Sequence, residues 1–163
     1  MSSWRPVEMD AAALRALLKK AEQLTAGLDD TELEKLVSTA SAEEYDINCI
    51  LAREDERSRD LFIVVKGALS VEMNLSPQDT VSISILKIRD GGVAGELSFL
   101  DGARRSASLK VVMPTTVIRF PHDKMEALFN AEKGTGLTIM RNLAQLVTQR
   151  LRSTNFELRS RLP

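Results

Sequence analysis

Hydrophobic residues recur at helical spacing at both ends of this chain and alternate with polar residues in its middle. Residues 10–24 carry apolar side chains every three or four positions, which predicts one helix with a single buried face. A second helix is predicted to begin at Asp29, whose carboxylate can cap it together with Glu32 three residues later. We therefore expect residues 1–41 to form N-terminal helices.

From about residue 43 the apolar period falls to two, which predicts strands. Residues 61–65 form an unbroken apolar run typical of a buried strand, and three further alternating segments follow between residues 69 and 111. Turns are predicted at residues 66–67 and 76–79. Several short strands separated by turn signals indicate a sandwich or barrel. We expect an antiparallel, jelly-roll-like β-roll over residues 42–121.

After Pro121 the helical period returns. A short helix is predicted to end at residues 133–134, and a long one to begin near Thr135 or Thr138, with the Gly134–Gly136 segment as a break. The long helix carries an almost heptad apolar seam, formed by Met140, Leu143, Val147, Leu151, Thr154 and Leu158. The predicted fold class is therefore α+β: one domain over residues 1–163, in which C-terminal helices over 122–160 follow the roll.

Composition excludes several functional classes. The chain has 163 residues and a net charge of -1, which argues against a nucleic-acid binder that uses its whole surface. No apolar run approaches the length of a membrane span, and the first residues contain no apolar secretion segment. With one cysteine, no intramolecular disulfide can form. We expect a cytoplasmic protein with no membrane partner.

The chain contains one histidine, His122, which limits the catalytic chemistry it can carry. The metal sites of jelly-roll enzymes gather several histidines and a carboxylate, so no metal is expected. A Ser-His-Asp triad would have to use His122, next to Pro121 at a predicted helix start. We interpret His122 as a solvated residue of that first turn, and the protein as a non-enzyme.

The segment 91–108 places charge beside apolar surface and glycine. Gly95 precedes Glu96, a predicted short helix covers 97–101 and ends at Gly102, and Arg105 follows. The N-terminus of a helix favours an anion, and Arg105 can close over the same point. A sugar phosphate would use both charges, because Glu96 can accept hydrogen bonds from hydroxyl groups. A surface Glu–Arg ion pair explains the same residues, and the residues alone leave both interpretations open.

The segment 95–108, GELSFLDGARRSAS, resembles the phosphate-binding cassette of cyclic nucleotide-binding domains, found in the bacterial catabolite activator family, in cyclic-nucleotide-dependent kinases and in gated channels. The segment 60–67 resembles the family's third-strand signature. The resemblance covers roughly residues 24–158. It implies that Glu96 binds the ribose 2′-hydroxyl and Arg105 the exocyclic phosphate oxygens. The ligand-binding set that it implies within the cassette is Gly95, Glu96, Leu97, Ser98, Arg105, Ser106 and Ala107.

This sequence departs from the family pattern at a few positions. Asn48 and Asp55 stand where turn glycines are usual, and both residue types tolerate the left-handed conformation. Ala94 replaces a common aromatic residue, which implies a looser cradle. Arg104 stands where kinase-type members often have proline, and we interpret it as a solvated neighbour of Arg105.

The resemblance leaves the base open between cAMP and cGMP. Ser106 is compatible with both. The segment 149–155 resembles the catabolite-activator helix in which a Thr-Ser pair reaches adenine, which favours cAMP slightly and implies base contacts for Thr154 and Asn155. Thr154 is equally well explained as a seam position of a dimer helix.

The chain ends at Pro163, about where a catabolite activator continues into its DNA-reading domain. We therefore expect a cyclic nucleotide sensor that signals through a separate protein. The seam suggests a parallel homodimer, the alternative being a monomer whose long helix folds over its own roll. Two further functions remain as alternatives: a ligand-free interaction scaffold, and a DNA-binding transcriptional regulator that uses the basic C-terminal helix. Nucleic-acid binding is the weaker of the two.

Overall fold

A computed structural model describes residues 3–75 and 82–161 of the chain. Within them the helices are α1 (Ala11–Lys20), α2 (Glu22–Thr25), α3 (Asp30–Val37), α4 (Glu96–Asp101), α5 (His122–Ala131) and α6 (Lys133–Arg161). The strands are β1 (Trp4–Val7), β2 (Ser41–Tyr45), β3 (Ile50–Ala52), β4 (Leu61–Asn74), β5 (Ser82–Arg89), β6 (Val93–Ala94) and β7 (Ser108–Phe120). The predicted α+β class, an antiparallel β-roll flanked by helices, is confirmed.

Two long strands organise the sheet. β4 and β7 pair with each other at its centre, and the sheet order is β1-β2-β7-β4-β5, with β3 on β7 and β6 on β4. All of these pairings are antiparallel. The short strand β6 leads directly into α4, so the pairing of β6 with β4 fixes where the cassette begins.

The apolar run in β4 is continuous because both faces of this strand are buried. Leu61 and Ile63 lie in a core shared with the helices, whereas Phe62 and Val64 lie in a second core inside the roll. Successive side chains of a strand point to opposite faces, so alternate residues serve the two cores. The roll is thereby anchored on one face by the helical layer.

The turn predicted at residues 66–67 is wrong, because β4 runs through this point. Gly67 has a φ of +103°, and the pairing of β4 with β7 shifts register around it. A Cβ at Gly67 would lie 2.5 Å from the Pro114 carbonyl oxygen. The glycine therefore forms a bulge that bends two long strands together. The other predicted turn, at 76–79, lies outside the described residues.

The N-terminal region differs from its prediction in two respects. Residues 4–7 form β1, which pairs with β2. The single helix predicted over 10–24 is two helices, broken at Ala21, and the hydroxyl group of Thr25 donates to the Leu18 carbonyl oxygen at the end of α1. The predicted capping of α3 is present: Asp29 accepts from the Glu32 amide, and the Glu32 carboxylate accepts from the Asp29 amide.

The long C-terminal helix α6 begins at Lys133, and the predicted break at Gly134–Gly136 is absent because the helix runs through it. A Cβ at Gly136 would lie 3.0 Å from the Phe129 side chain, so this glycine allows α5 and α6 to pack closely. The first half of α6 buries Ile139, Leu143 and Leu146 against the domain, whereas residues 151–161 are exposed. Within the described residues, no helix is both long and apolar enough to cross a membrane.

Candidate functional site

The cassette is built around the helix α4, which two left-handed glycines delimit. Gly95 precedes it at φ +84° and Gly102 follows it at φ +73°. This helix is the one predicted over 97–101, extended by one residue at its start. The side chain of Arg59 donates to the Ser98 and Phe99 carbonyl oxygens in α4, and so holds the C-terminal half of the helix.

Arg105 is buried beside the first turn of α4, with 4% of its surface exposed. Its Nη1 atom donates to the Gly95 carbonyl oxygen at 3.1 Å and to Ser98 Oγ at 2.9 Å. Its Nε atom donates to Ser58 Oγ at 3.0 Å, and Nη2 donates to the Asp60 carbonyl oxygen at 2.8 Å. Four of the five N–H groups of a guanidinium are thus used. The structure brings Gly95, Ser98 and Arg105 of the predicted set together.

The electrostatic setting of Arg105 is unusual. Burial lowers the pKa of its guanidinium, and the charges of Asp60, Glu56 and Glu96 oppose this shift. In the ranges 3–75 and 82–161, each hydrogen bond of the Arg105 side chain ends on a neutral oxygen, either a carbonyl or a hydroxyl group. An arginine retains its charge in a protein, so this positive charge is held without a contacting carboxylate.

Glu96 is also buried, but its partner is a cation. The Nη1 atom of Arg150, in α6, donates to Glu96 Oε1 at 2.5 Å, and Nη2 donates to the Val93 carbonyl oxygen at 2.7 Å. One guanidinium therefore ties α6 to β6 and α4 at the same time. The side chains of Arg150 and Glu96 are 24% and 9% exposed.

Asp60 links the cassette to the rest of the domain. Its backbone oxygen accepts from Arg105, while its carboxylate accepts from Arg119 at 2.6 and 2.8 Å and from the His122 amide at 2.9 Å. Although burial alone would lower the pKa of Arg119, the bonds and charges of Asp60 and Glu43 raise it overall. Asp60 thus caps the start of α5. His122 opens α5, as predicted, but it is half-buried, with its ring edge-on to Phe99 and the ring centroids 5.2 Å apart, so it is only partly solvated.

The remaining cassette residues divide by burial. Ala107 is buried, whereas Ser106 and Leu97 are exposed. Asn48 and Asp55 adopt positive φ, as predicted, and Asp55 donates its amide to the Arg105 carbonyl oxygen at 2.9 Å.

Arg104 is exposed and pairs with Asp55 across the loop, with the Arg104 guanidinium donating to the backbone oxygen at 2.8 Å and to the carboxylate at 3.3 Å. It therefore belongs to the loop surface and lies outside the set of donors around α4.

Thr154 and Asn155 lie on the exposed half of α6. The Thr154 hydroxyl group donates to the Arg150 carbonyl oxygen at 3.0 Å, within the helix. In the described ranges, no hydrogen bond or ion pair joins either residue to the cassette, so the structure does not bring them to Glu96 and Arg105.

A pocket of about 440 Å³ opens next to Arg150, lined by Lys20, Glu22, Gln23, Arg150 and residues 86–92. Its volume is in the range of small-ligand sites. Glu96 and Arg105 do not line it, although Gly91 and Gly92 of the cassette do. Arg150 therefore stands between this pocket and Glu96. No cluster of three or more metal-ligating side chains occurs in the described part of the chain.

Three residues of this site were not predicted as site residues from the sequence: Ser58, Asp60 and Arg150. A signal existed for Arg150, which lies four residues after Leu146 and seven after Leu143, on the buried stripe of the long helix. Ser58 and Asp60 precede a strand and contact Arg105 across 47 and 45 residues of sequence. No local pattern reports such contacts.

Comparison with known proteins places the chain in a family. The family model for the cyclic nucleotide-binding domain matches residues 42–132, more than half of the chain. Potassium channel KAT6 from Oryza sativa subsp. japonica is 24% identical over 116 residues, which is 71% of this chain and only 19% of the channel.

Solved structures of other proteins share the fold. A cyclic nucleotide-binding domain from Methylobacillus flagellatus superposes with a TM-score of 0.85 at 21% identity, covering 98% of this chain and 90% of that one. The regulatory domain of Toxoplasma gondii PKA, crystallised with cAMP, superposes with a TM-score of 0.73 at 17% identity, covering 85% of this chain and 50% of that one. With the roll, the glycine-bounded helix and the buried cassette arginine in place, this chain belongs to the cyclic nucleotide-binding domain family.

Proposed function

We propose that this chain binds cAMP or cGMP through its cassette and acts as a non-catalytic, cytoplasmic regulatory module that signals through a separate protein. The observation that carries the proposal is the set of partners of Arg105. Arg119 and Arg150 each contact a carboxylate, whereas the more deeply buried Arg105 contacts only neutral oxygens within the described residues. A buried charge without a counter-ion is costly, so an external anion would stabilise this arrangement.

The donors around Arg105 suit a phosphate group. The fifth N–H of the guanidinium, on Nη2, has no acceptor in residues 3–75 and 82–161, and the Ser98 hydroxyl group can donate a hydrogen bond while its oxygen accepts one from Arg105. Gly95 allows the chain to pass close to Arg105, and the first amides of α4, at Leu97 and Ser98, add donors. Glu96 would accept hydrogen bonds from sugar hydroxyl groups. Buried Ala107 leaves room beside the phosphate, and exposed Ser106 lies next to Arg105.

The base is proposed to be adenine, with guanine as the alternative. Support comes from the resemblance of α6 to the catabolite-activator helix and from the cAMP carried by the Toxoplasma relative. Thr154 lies about 6 Å further along α6 than Arg150, at 1.5 Å per residue. In this proposal, Thr154 and Asn155 reach the base after α6 has moved, on this chain or on a second copy.

Calorimetric titration with cAMP and with cGMP tests the proposal. Arg105→Ala removes charge-assisted bonds worth about 1.5–3 kcal/mol, so we expect affinity to fall about 10- to 150-fold. Arg105→Lys keeps the cation without the planar fork and provides a variant with a smaller perturbation of the fold. Arg104→Ala is the matched control, because that arginine is exposed and pairs with Asp55. We expect it to change affinity at most about fivefold.

The outcomes separate two functions. Equal affinity in Arg105→Ala and in the unmodified protein would overturn the assigned role of Arg105. No heat with either nucleotide, together with an unchanged melting temperature, would favour a scaffold that keeps the fold without the ligand, because a ligand that binds only the native state raises that temperature.

We further propose that the exposed half of α6 forms a parallel homodimer. Leu151 and Leu158 are 59% and 58% exposed and lie on one face of the helix, with Thr154 between them. Phe156 is 73% exposed but points about 140° away from Leu151, at 3.6 residues per turn. The face that carries Leu151, Thr154 and Leu158 would be buried against the same face of a second copy, as in a coiled coil.

Sedimentation over a range of concentrations tests this dimer. The unmodified protein should pass from 18.0 kDa to twice that mass as concentration rises. Replacing Leu151 and Leu158 by serine should keep it monomeric, whereas Phe156→Ser, on the other face, should not. A single species near 18.0 kDa at every concentration would contradict the dimer.

The proposed mechanism is a population shift of α6. This helix carries Arg150 at the cassette and, from the next residue onwards, the exposed seam. A nucleotide that binds more tightly to one arrangement of α6 than to another shifts the balance by that difference in affinity.

A further inference from the structure

Arg150 occupies one oxygen of the carboxylate that sugar hydroxyl groups would use. It donates to Glu96 Oε1 at 2.5 Å and to the Val93 carbonyl oxygen at 2.7 Å, so it joins α6 to the chain on both sides of Gly95. The Glu96 side chain is 9% exposed, so water can hardly replace this partner. The bond between Arg150 and Glu96 joins residues 54 apart in sequence, and it connects α6 to the junction between β6 and α4.

Hydroxyl groups are weaker partners for a carboxylate than a guanidinium is. Both kinds of bond are charge-assisted, but only the guanidinium carries a positive charge, and its attraction to the carboxylate is strong at a site that is largely shielded from water. A sugar that takes the Glu96 oxygen held by Arg150 therefore exchanges a strong partner for a weaker one. The exchange is favourable only when the phosphate gains enough at Arg105, whose own partners are neutral oxygens.

We propose that Arg150 is a latch: its bond to Glu96 holds α6 against the cassette and competes with the sugar of the nucleotide. This inference rests on the proposed function and adds its regulation. Binding of the sugar displaces Arg150 from Glu96, which releases the hold on α6 one residue before its exposed half begins. Because only molecules with an open latch accept the sugar, the latch lowers nucleotide affinity to the intrinsic affinity multiplied by the fraction of molecules in which it is open.

Arg150 could also have the opposite role and help the sugar to bind. An arginine that positions Glu96 for the sugar would raise affinity, and its removal would weaken binding. A latch lowers affinity, and its removal strengthens binding. The sign of the change therefore distinguishes the two roles.

The experiment is calorimetric titration of the full chain with cAMP and with cGMP. Arg150→Met removes the guanidinium and keeps an unbranched side chain of high helix propensity. Arg152→Met is the matched control, with the same substitution on an exposed residue of the same helix. We expect Arg150→Met to bind about tenfold more tightly, which corresponds to about 1.4 kcal/mol, and Arg152→Met to remain within about twofold.

Arg150→Lys keeps the cation but cannot reach both acceptors as a fork, so its affinity should lie between those of the unmodified protein and Arg150→Met. It also carries the test if circular dichroism shows that the methionine variant is unfolded. Unchanged or weaker binding in folded Arg150→Met overturns the latch and leaves the proposed function in place. Absence of binding in both the unmodified protein and Arg150→Met overturns the proposed function and the latch with it.

Discussion

Substitution of Gly95 by alanine probes the packing on which the cassette depends. Gly95 has a φ of +84°, and a Cβ there would lie 2.5 Å from Arg105 Nη1 and 2.7 Å from the Asp60 carbonyl oxygen. Real Cβ atoms do not approach other atoms so closely, so Arg105 or the backbone must move. The substitution therefore combines a strained backbone with a clash against the guanidinium.

Gly91→Ala separates these two effects. Gly91 has nearly the same φ, +80°, but a Cβ there would meet nothing within 4 Å. The left-handed conformation alone costs a residue with a side chain about 1–2 kcal/mol. Overpacking of a filled site adds about 1–3 kcal/mol. We therefore expect Gly91→Ala to lose about 1–2 kcal/mol and Gly95→Ala about 2–5 kcal/mol of unfolding free energy.

Urea denaturation of the two variants and the unmodified protein measures both losses. The midpoint should fall further for Gly95→Ala, with an unchanged slope. Nucleotide affinity should fall in Gly95→Ala alone, because the Cβ displaces Arg105. Equal losses of stability in the two variants would refute the argument, since they would show that Gly95 is required only for its backbone conformation.

Two further predictions concern charges outside the ligand contacts. Asp60→Asn weakens the charge-assisted bonds with Arg119, so we expect urea denaturation to show a loss of about 1.5–3 kcal/mol of unfolding free energy. The control Asp55→Asn, at an exposed ion pair, should lose at most about 1 kcal/mol. Equal losses in the two variants would contradict the role of Asp60. Bonds from Lys19 and a neighbouring arginine lower the pKa of Asp30 to about 2, so its contribution to stability is complete above its ordinary pKa of about 4 and is lost as pH falls towards 2. Between pH 5 and pH 2, Asp30→Asn should therefore lose less unfolding free energy than the unmodified protein. Added salt should reduce this difference between the two proteins because the charges are exposed. Identical pH profiles for the two proteins would contradict the prediction.

The β-roll and the cassette were predictable because their signals are local. Alternation marks the strands, and the apolar run at 61–65 marks a strand with two buried faces. In the cassette, two glycines bound a six-residue helix, and the chain then returns with an arginine. Asn48 and Asp55 were predicted to take over the backbone role of glycine, and both have positive φ. Each of these features depends on a few neighbouring residues.

The features that sequence did not reveal depend on distant partners. Lys66–Gly67 has the composition of a turn, and only the approach of Pro114 and Thr115 turns it into a bulge. β1 contains Pro6, and its residues are mostly exposed. Its sequence therefore shows no alternation of apolar and polar residues that would predict its pairing with β2. From sequence alone, Arg150 is one of several arginines in the basic C-terminal helix, and only its place on the buried stripe of α6 sets it apart. A charged side chain on a buried stripe needs a partner of opposite charge, and in the folded protein this partner is Glu96.

The two charges of the cassette are satisfied in opposite ways, and this difference determines what a ligand can do. Arg105 has neutral partners, so an anion can add to it without breaking an ion pair. Glu96 already holds the cation Arg150 on Oε1, and in the proposed latch the hydroxyl group displaces that side chain. A simple phosphate ion would therefore gain affinity at Arg105 while leaving α6 in place, because it has no preference between the two arrangements of Arg150. A ligand acts on α6 only if one rigid molecule carries both groups, so that the energy gained at the phosphate drives the exchange at the sugar. A sugar phosphate meets this requirement, and a cyclic one meets it with the least loss of conformational freedom.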